Sequence, residues 1–254
     1  MSRSLSQAQF GANAAEYLTS KPHAEGKSLE RMVALAQPQP DWHALDVATG
    51  AGHTAYAFAP HVARVWASDI TDEMLNMVRG EAAKRKLANL RIAHAKAEAL
   101  PFEDGTFDLV TCRIAPHHFE SIALFLDETR RVLKRDGTLA LVDNVVPAGS
   151  VGDYINAFER FRDPSHLRAW TAEEWRDALQ QHGFTIAHEE LLSKDMDFAY
   201  WAGRHDPVMK AYLRALLEHA TPDVQDVLQP HQKNGALTFR LSEALFIARP
   251  SGNG

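Results

Sequence analysis

The sequence predicts an α/β fold in which helices cover both faces of a doubly wound, mostly parallel sheet. Residues 44–47 form a short apolar strand that leads into a glycine turn and then a helix. Residues 65–69 form a second apolar strand, and further apolar runs alternate with helical patterns. Strands that alternate with helices form parallel sheets, because each parallel connection has to cross over the sheet. At 254 residues the chain is long enough to bury such a core.

The turn after the first strand predicts a nucleoside-containing cofactor. Gly50-x-Gly52-x-x-Ala55 satisfies the GxGxxA form of the dinucleotide-binding fingerprint. Glycine lets the backbone bend sharply and approach a ligand that a Cβ would exclude. The helix that follows offers unpaired N–H groups and a partial positive charge at its N-terminus. The second strand ends in Asp69, which lies at the sequence distance expected of a carboxylate that binds ribose hydroxyls.

Asp46, at the end of the first strand, indicates which kind of cofactor this is. In a nicotinamide or flavin site the glycine turn holds a pyrophosphate, and a carboxylate so near would repel it. Asp46 precedes Gly50 by four residues. This arrangement favours a ligand without phosphate that carries a positive charge.

Two motifs resemble a known family. Asp46-x-Ala48-x-Gly50-x-Gly52 resembles motif I of the class I S-adenosylmethionine-dependent methyltransferases, with Ala48 in place of one glycine. The stretch Ala97–Phe102, followed by Phe107-Asp108, resembles the UbiE-like, type 11 small-molecule group of that family. The resemblance implies a Rossmann-like seven-stranded sheet, with S-adenosylmethionine as methyl donor and S-adenosylhomocysteine as product.

The same resemblance implies a set of cofactor-binding residues, drawn from the N-terminal arm and the ends of four strands. They are Tyr17, His23, Asp46, Ala48, Thr49, Gly50, Gly52, His53, Asp69, Ile70, Met74, Ala97, Glu98 and Arg113. Lys96 departs from the group, which often has an acid there that accepts a hydrogen bond from the adenine amino group. Lysine has no acceptor, so the role of Lys96 stays open.

Polar residues that follow the fourth and fifth strands are candidates for catalysis and substrate binding. Ligands bind at the carboxyl ends of parallel strands, and histidine titrates near neutral pH, so a histidine there can accept a proton. The catalytic candidates are His117, His118 and Asp143, and the substrate-binding candidates are His117, Asn144, His166 and Arg168. Ordinary packing or surface ion pairs remain alternatives for these residues.

The chain is expected to form a single domain, residues 1–254. Residues 1–40 are predicted to form a helical arm, 41–148 the cofactor-binding core, and 149–254 the substrate-side half. A helical insertion at about 199–234 is expected to cap the substrate, before a final antiparallel strand. The Asp136-Gly137 turn is expected to end the helix that precedes the fifth strand.

Composition argues against several other classes of protein. The net charge of −6 disfavours a nucleic-acid partner. One cysteine allows no disulfide framework, and the thirteen histidines show no metal-ligand spacing, so no metal is expected. No apolar run is long enough to span a membrane and no signal peptide is evident, so a cytoplasmic protein is expected. A homodimer stays open.

The predicted activity is methyl transfer from S-adenosylmethionine to a small molecule, at carbon or oxygen. Two alternatives remain at this point: an NAD(P)-dependent oxidoreductase, which the GxGxxA string alone permits, and an S-adenosylmethionine-binding protein without activity. Neither the acceptor nor the use of a general base can be read from the residues.

Overall fold

A computed structural model describes residues 26–252 of the chain. Eight strands form one sheet: β1 (His43–Val47), β2 (Arg64–Asp69), β3 (Leu90–His94), β4 (Phe107–Arg113), β5 (Leu133–Val145), β6 (Phe184–Asp197), β7 (His231–Lys233) and β8 (Ala236–Pro250). The α-helices of this part are α1 (Lys27–Ala36), α2 (His53–Phe58), α3 (Asp72–Lys84), α4 (Ile122–Val132), α5 (Ser150–Arg162), α6 (Ala172–Gln181), α7 (Phe198–Trp201), α8 (Pro207–Glu218) and α9 (Pro222–Leu228).

The strand order is β3-β2-β1-β4-β5-β8-β6, and β7 pairs only with β8. Strands β1 to β5 are parallel, whereas β8 runs antiparallel to both β5 and β6. The order reverses between β1 and β4, and this switch point opens a crevice at the carboxyl ends of the strands. The predicted α/β fold class is confirmed, with β7 as a short addition to the seven-stranded path.

The central strands are apolar because the sheet is buried on both faces. Leu45 and Val110 project into one apolar cluster, which helices α4 and α6 complete with residues such as Phe125 and Trp175. Leu109 lies in a second cluster on the opposite face. A third cluster lies in the C-terminal half. There the rings of Phe158 and Trp201 stack at 4.7 Å and the ring of Phe239 meets Trp201 edge-on at 5.1 Å.

Two predicted boundaries were wrong. Helix α4 ends at Val132 and β5 begins at the next residue, so Asp136-Gly137 lies within β5 rather than ending the helix. The predicted insertion 199–234 is helical only from Phe198 to Leu228, in α7, α8 and α9, and then becomes strand β7. The missed signal is Asn234-Gly235: both residues have positive φ and connect paired strands, which is the usual chemistry of a two-residue hairpin.

The predicted N-terminal arm is described only from Gly26 onward. Helix α1 lies within the predicted helical arm; it contacts β5 and β8, and its Leu29 and Met32 are buried. Tyr17 and His23 lie outside the described residues. Within residues 26–252, no helix combines the length and the apolarity needed to cross a bilayer.

Candidate active site

A cavity of about 350 Å³ opens at the carboxyl ends of β1, β2 and β4. Its wall includes predicted residues from all three strand ends and the loop after β3: Ala48, Thr49, Gly50, His53, Asp69, Ile70, Met74, Ala97, Glu98, Arg113 and His118. The structure therefore brings together most of the proposed cofactor residues that it describes.

The cavity wall also contains residues that the sequence did not indicate. They are Ala51, Thr54, Thr71, Ala95, Lys96, Ile114, Ala115, Phe119, Glu120, Ser165 and Leu167. Most of them neighbour a predicted residue in the same loop. A prediction that included whole loops, rather than only the motif positions, would have contained them. Ser165 and Leu167 come from the connection between α5 and α6, where the sequence indicated the neighbouring His166 and Arg168 instead.

The glycine turn folds back onto the end of β2. The N–H of Gly50 donates to Asp69 Oδ2 at 2.9 Å, and the N–H of Thr49 donates to the carbonyl of Ser68 at 2.8 Å. Gly50 has φ of 53° and open space where a Cβ would stand, whereas a Cβ on Gly52 would lie 2.5 Å from the ring of Tyr56. The two glycines therefore have different roles. Gly50 leaves the cavity open, and Gly52 leaves room for the Tyr56 ring at the start of α2.

Asp46 lies beneath this turn, and the described lining of the cavity does not include it. Its carboxylate accepts the hydroxyl groups of Thr49, at 2.6 Å, and Thr111, at 2.7 Å. Burial raises the pKa of Asp46 to about 6, against the lowering effect of these two hydrogen bonds. Through Thr49, Asp46 holds the conformation of the turn.

Asp69 faces the cavity with a fixed carboxylate. Its Oδ2 accepts from Gly50, and its Oδ1 accepts the N–H of Thr71 at 2.9 Å. Burial raises the pKa of Asp69, and these backbone donors oppose that effect. A carboxylate has about four lone-pair sites, so Asp69 can still accept hydrogen bonds from a ligand's hydroxyl groups. An open turn, a fixed carboxylate and the apolar Ile70, Met74 and Ala97 fit a nucleoside with vicinal hydroxyls.

Glu98 and Lys96 are already engaged by the loop before α4. Glu98 Oε1 accepts the backbone N–H groups of Glu120, at 2.9 Å, and Ser121, at 3.3 Å. Lys96 Nζ pairs with the carboxylate of Glu120 at 2.6 Å, and both side chains are exposed. Lys96 thus forms an ion pair beside the cavity, and this contact gives it a structural role that the sequence left open.

Arg113 ends β4 and lines the cavity as a nearly buried cation. Burial lowers its pKa, while the negative charges of Glu243 and Asp46 act in the opposite direction. Arginine keeps its proton at neutral pH even when its pKa falls somewhat. The cavity therefore has a positive charge near the turn and a negative charge, Asp69, at the end of β2.

The adjacent histidines after β4 have different environments. His117 is buried outside the described cavity lining, and its Nδ1 lies 2.6 Å from Asp143 Oδ1. Burial lowers the pKa of His117 to about 3 and raises the pKa of Asp143 to about 8. Both changes favour the neutral forms of this pair. The structure thus places His117 and Asp143 together, beneath the cavity wall.

His118 lines the cavity itself. Its Nδ1 lies 2.9 Å from the carbonyl oxygen of Ser165. A carbonyl oxygen can only accept, so Nδ1 carries the proton and a neutral ring has its lone pair at Nε2. Burial, together with the neighbouring His117, lowers the pKa of His118 to about 3. The imidazole is therefore neutral at physiological pH.

The described cavity lining includes none of the predicted substrate residues, which are His117, Asn144, His166 and Arg168. Asn144 Oδ1 accepts from Lys194 Nζ at 3.1 Å, and His166 is buried with Nε2 2.9 Å from Asn156 Oδ1. Arg168 is exposed and pairs with Glu174 at 2.6 Å. Across the described residues, no three His, Cys, Asp or Glu side chains are grouped so that they could hold a metal ion.

Comparison with known proteins shows the family. The model of the "Methyltransferase domain" family matches residues 45–141. The uncharacterized methyltransferase YcgJ of Bacillus subtilis is 34% identical over 243 residues, which cover 93% of this chain and 95% of YcgJ. The chain belongs to the class I methyltransferases.

Two solved structures have the same fold as this chain. The crystal structure of YcgJ superposes with a TM-score of 0.82 at 31% identity, covering 89% of this chain and 99% of YcgJ. A methyltransferase candidate from Bacillus halodurans C-125 superposes with a TM-score of 0.83 at 33% identity, over 88% of this chain and 98% of that protein.

The predicted UbiE-like character is also confirmed. The ubiquinone/menaquinone biosynthesis C-methyltransferase UbiE of Zymomonas mobilis is 37% identical over 105 residues, which cover 41% of this chain and 43% of UbiE. The similarity to UbiE thus covers less than half of either chain, whereas the similarity to YcgJ covers nearly all of both.

Proposed function

We propose that this methyltransferase transfers a methyl group from S-adenosylmethionine to a small-molecule acceptor, at carbon or oxygen. One observation carries the proposal: a single cavity contains the glycine turn, the carboxylate of Asp69, an apolar wall and the neutral imidazole of His118. The first three suit a nucleoside-bearing donor, and the fourth suits an acceptor that must lose a proton.

The donor would be held at several points of the cavity. Asp69 accepts the ribose hydroxyls, Ile70 and Met74 contact the adenine, and Arg113 attracts the carboxylate of the amino-acid end. Gly50 leaves room for the chain that connects them. The bound cofactor supplies a methyl group activated by its sulfonium. Asp46 acts here by holding Thr49 in the turn rather than by direct contact.

The chain's main contribution to catalysis is the positioning of the acceptor in line with the methyl group. Holding two reactants in a reactive geometry contributes up to roughly 7–11 kcal/mol. His118 then accepts a proton from the acceptor at Nε2. His117 and Asp143, the other catalytic candidates, support His118 from beneath, and we assign substrate contacts to His118, Phe119 and Leu167 before Asn144, His166 or Arg168.

A labelled methyl donor tests this function whatever the identity of the acceptor. The protein is incubated with S-adenosylmethionine bearing a trideuterated methyl group and with a small-molecule cell extract, and the products are analysed by mass spectrometry. We expect a small molecule that gains a trideuterated methyl group, and no such product with Asp69→Ala. Label found only in protein or nucleic acid would contradict a small-molecule acceptor, and no label despite cofactor binding would support a protein without activity.

A further inference from the structure

The connection between α5 and α6, residues 163–171, contacts two different parts of the fold. On the side of β4, the carbonyl oxygen of His117 accepts the N–H groups of Leu167, at 2.9 Å, and Arg168, at 3.2 Å. On the other side, residues of the C-terminal insertion contact Arg162 and Asp163. This connection carries Ser165 and Leu167 into the cavity wall, so its position affects the site directly.

Asp163 anchors the connection as a buried carboxylate. Its Oδ1 accepts the Ser165 N–H at 3.0 Å and the Ser165 hydroxyl at 2.6 Å. Its Oδ2 accepts a guanidinium N–H of Arg204 at 2.9 Å, with both side chains largely buried. Although burial opposes ionisation, the Ser165 hydroxyl and the charges of Arg204 and Arg162 together lower the pKa of Asp163. Asp163 is therefore ionised in the folded protein.

Ser165 connects this carboxylate to His118. The hydroxyl proton of Ser165 points to Asp163, so Oγ can only accept from the His118 ring, whose Nδ1 lies at 3.2 Å. The carbonyl oxygen of the same serine accepts from Nδ1 at 2.9 Å. Ser165 thus offers His118 two acceptors and no donor. Both acceptors favour the ring form with its proton on Nδ1 and its lone pair on Nε2.

Arg204 comes from the insertion, between α7 and α8. Its neighbours reinforce the contact: Arg162 Nε donates to the carbonyl of Trp201 at 3.3 Å, with its guanidinium 5.4 Å above the Trp201 ring. His205 Nε2 donates to the carbonyl of Arg162 at 2.7 Å. The insertion therefore holds the end of α5 and the residue that orients Ser165.

We propose that Asp163, Ser165 and Arg204 are positioning residues that hold His118 in the tautomer able to accept a proton at Nε2. A neutral imidazole has two tautomers, and the one protonated at Nε2 could not accept a proton there. The C-terminal insertion thus acts on the site through Arg204. The inference rests on the proposed role of His118 as the base.

Nitrogen-15 NMR of the histidine side chains tests the proposal directly, because it distinguishes the two neutral tautomers. The His118 signal is assigned by its loss in His118→Gln. In the unmodified protein we expect one species protonated at Nδ1. Arg204→Ala and Ser165→Ala each remove a contact of Asp163 that holds the carbonyl of residue 165 against Nδ1, so in both we expect loss of that single species and a mixture of both tautomers. Arg204→Lys and Ser165→Thr, which keep the charge and the hydroxyl, should restore it.

A matched control separates this effect from a general loosening of the insertion. Arg214 also lies in the insertion and pairs with Glu218 at 2.9 Å, on an exposed face of α8. Arg214→Ala should leave the His118 signal unchanged. A single Nδ1-protonated species in folded Arg204→Ala and Ser165→Ala would overturn the proposal, as would a mixture already present in the unmodified protein.

A second measurement distinguishes failure of this inference from failure of the proposed function. Titration with S-adenosylhomocysteine, run on the same samples, reports cofactor binding. Binding that persists in Arg204→Ala while the tautomer changes supports a positioning role confined to His118. Absence of cofactor binding in every sample contradicts the proposed function, whereas an unchanged tautomer with intact binding contradicts only the role of Arg204 and Ser165.

Discussion

At the level of single residues, Asp69 has a structural role in addition to the binding role that we propose for it. Its two oxygens already hold the N–H groups of Gly50 and Thr71, so the carboxylate presented to a ligand is rigid. Asp72 lies three residues further on, in the first turn of α3, and its side chain is exposed. Comparing substitutions at Asp69 and Asp72 therefore distinguishes the loss of a nearby negative charge from the loss of the Asp69 carboxylate itself.

We expect Asp69→Ala to weaken S-adenosylhomocysteine binding by about 100-fold, because two hydrogen bonds to a charged group are lost, at about 1.5 kcal/mol each. Titration calorimetry measures this change, and circular dichroism shows that the variant is folded. Asp72→Ala should bind as the unmodified protein does. Equal affinity in Asp69→Ala and the unmodified protein would remove the ribose role of Asp69.

His117→Ala is expected to destabilise the fold rather than to abolish cofactor binding. The change leaves Asp143 buried without its partner, 2.6 Å away in the folded protein. A cost of about 3 kcal/mol in the free energy of unfolding is expected, because a buried carboxyl group loses its hydrogen bond and the missing ring leaves a cavity. Urea unfolding of both single variants and of the double variant with Asp143→Ala measures the coupling energy. Additive effects of the two substitutions would show that the pair is not coupled.

Which residues face the cavity was predictable only in part. Gly50 and Asp69 occur in motifs whose chemistry requires them at those positions, so the sequence indicated both. The choice between His117 and His118 was not predictable, because adjacent residues after a strand point in different directions and the register of the turn decides between them. The sequence indicated His166 and Arg168 rather than Ser165, because the tertiary contacts of Asp163 decide which residue of this connection enters the wall.

At the level of elements, the turn between β1 and α2 contains two glycines with distinct constraints. Both have positive φ, 53° at Gly50 and 88° at Gly52, but only Gly52 has a neighbour that a Cβ would strike. The sequence pattern GxGxxA does not separate these cases. The structure does, and it predicts different effects of the same substitution at two positions of one turn.

We expect Gly50→Ala to cost roughly 1–2 kcal/mol of stability, from its left-handed backbone, and to weaken S-adenosylhomocysteine binding. Gly52→Ala should cost more stability, because the ring of Tyr56 must move away from the new Cβ. Thermal unfolding and calorimetric titration of the two variants provide the comparison. If the greater loss of stability occurred in Gly50→Ala, the assignment of the two glycines would be reversed.

Element boundaries were predictable where local chemistry decides them. The capping box Thr171-x-x-Glu174, a motif that marks a helix start in a sequence, begins α6 with both of its hydrogen bonds present. The end of α4 was not predictable, because Leu133, which continues the helical pattern, pairs with Phe107 of β4 instead. That pairing depends on the assembled sheet rather than on local propensity.

At the level of the whole molecule, buried titratable groups set the response to pH. Burial lowers the pKa of His117 and His118 to about 3 and that of His166 to about 2. Unfolded histidines titrate near 6.5. Because these histidines stay neutral in the folded protein, their contribution to the free energy of unfolding is complete above pH 6.5. It is lost as the pH falls from 6.5 to about 3. Burial raises the pKa values of Asp46 and Asp143, so these two carboxyl groups reduce the free energy of unfolding as the pH rises from about 4.

His166 isolates this effect because it lies outside the described lining of the cavity. We expect His166→Gln to reduce the slope of unfolding free energy against pH by about 1.4 kcal/mol per pH unit between pH 6 and 4. Urea unfolding at several pH values measures the slope. The same substitution at His231, which is exposed, is the control. Parallel curves for His166→Gln and the unmodified protein would show that His166 does not couple folding to protons.

The central claim, that this methyltransferase uses S-adenosylmethionine, is tested most directly by calorimetric titration of the purified protein. The titrants are S-adenosylmethionine, S-adenosylhomocysteine and, as a control for the GxGxxA turn, NAD. The glycine turn, Asp69 and the apolar wall predict micromolar binding of the first two, and the carboxylate of Asp46 beneath the turn, which would repel a pyrophosphate, predicts no detectable binding of NAD. Binding of NAD alone would contradict the interpretation of Asp46 and of the whole cavity.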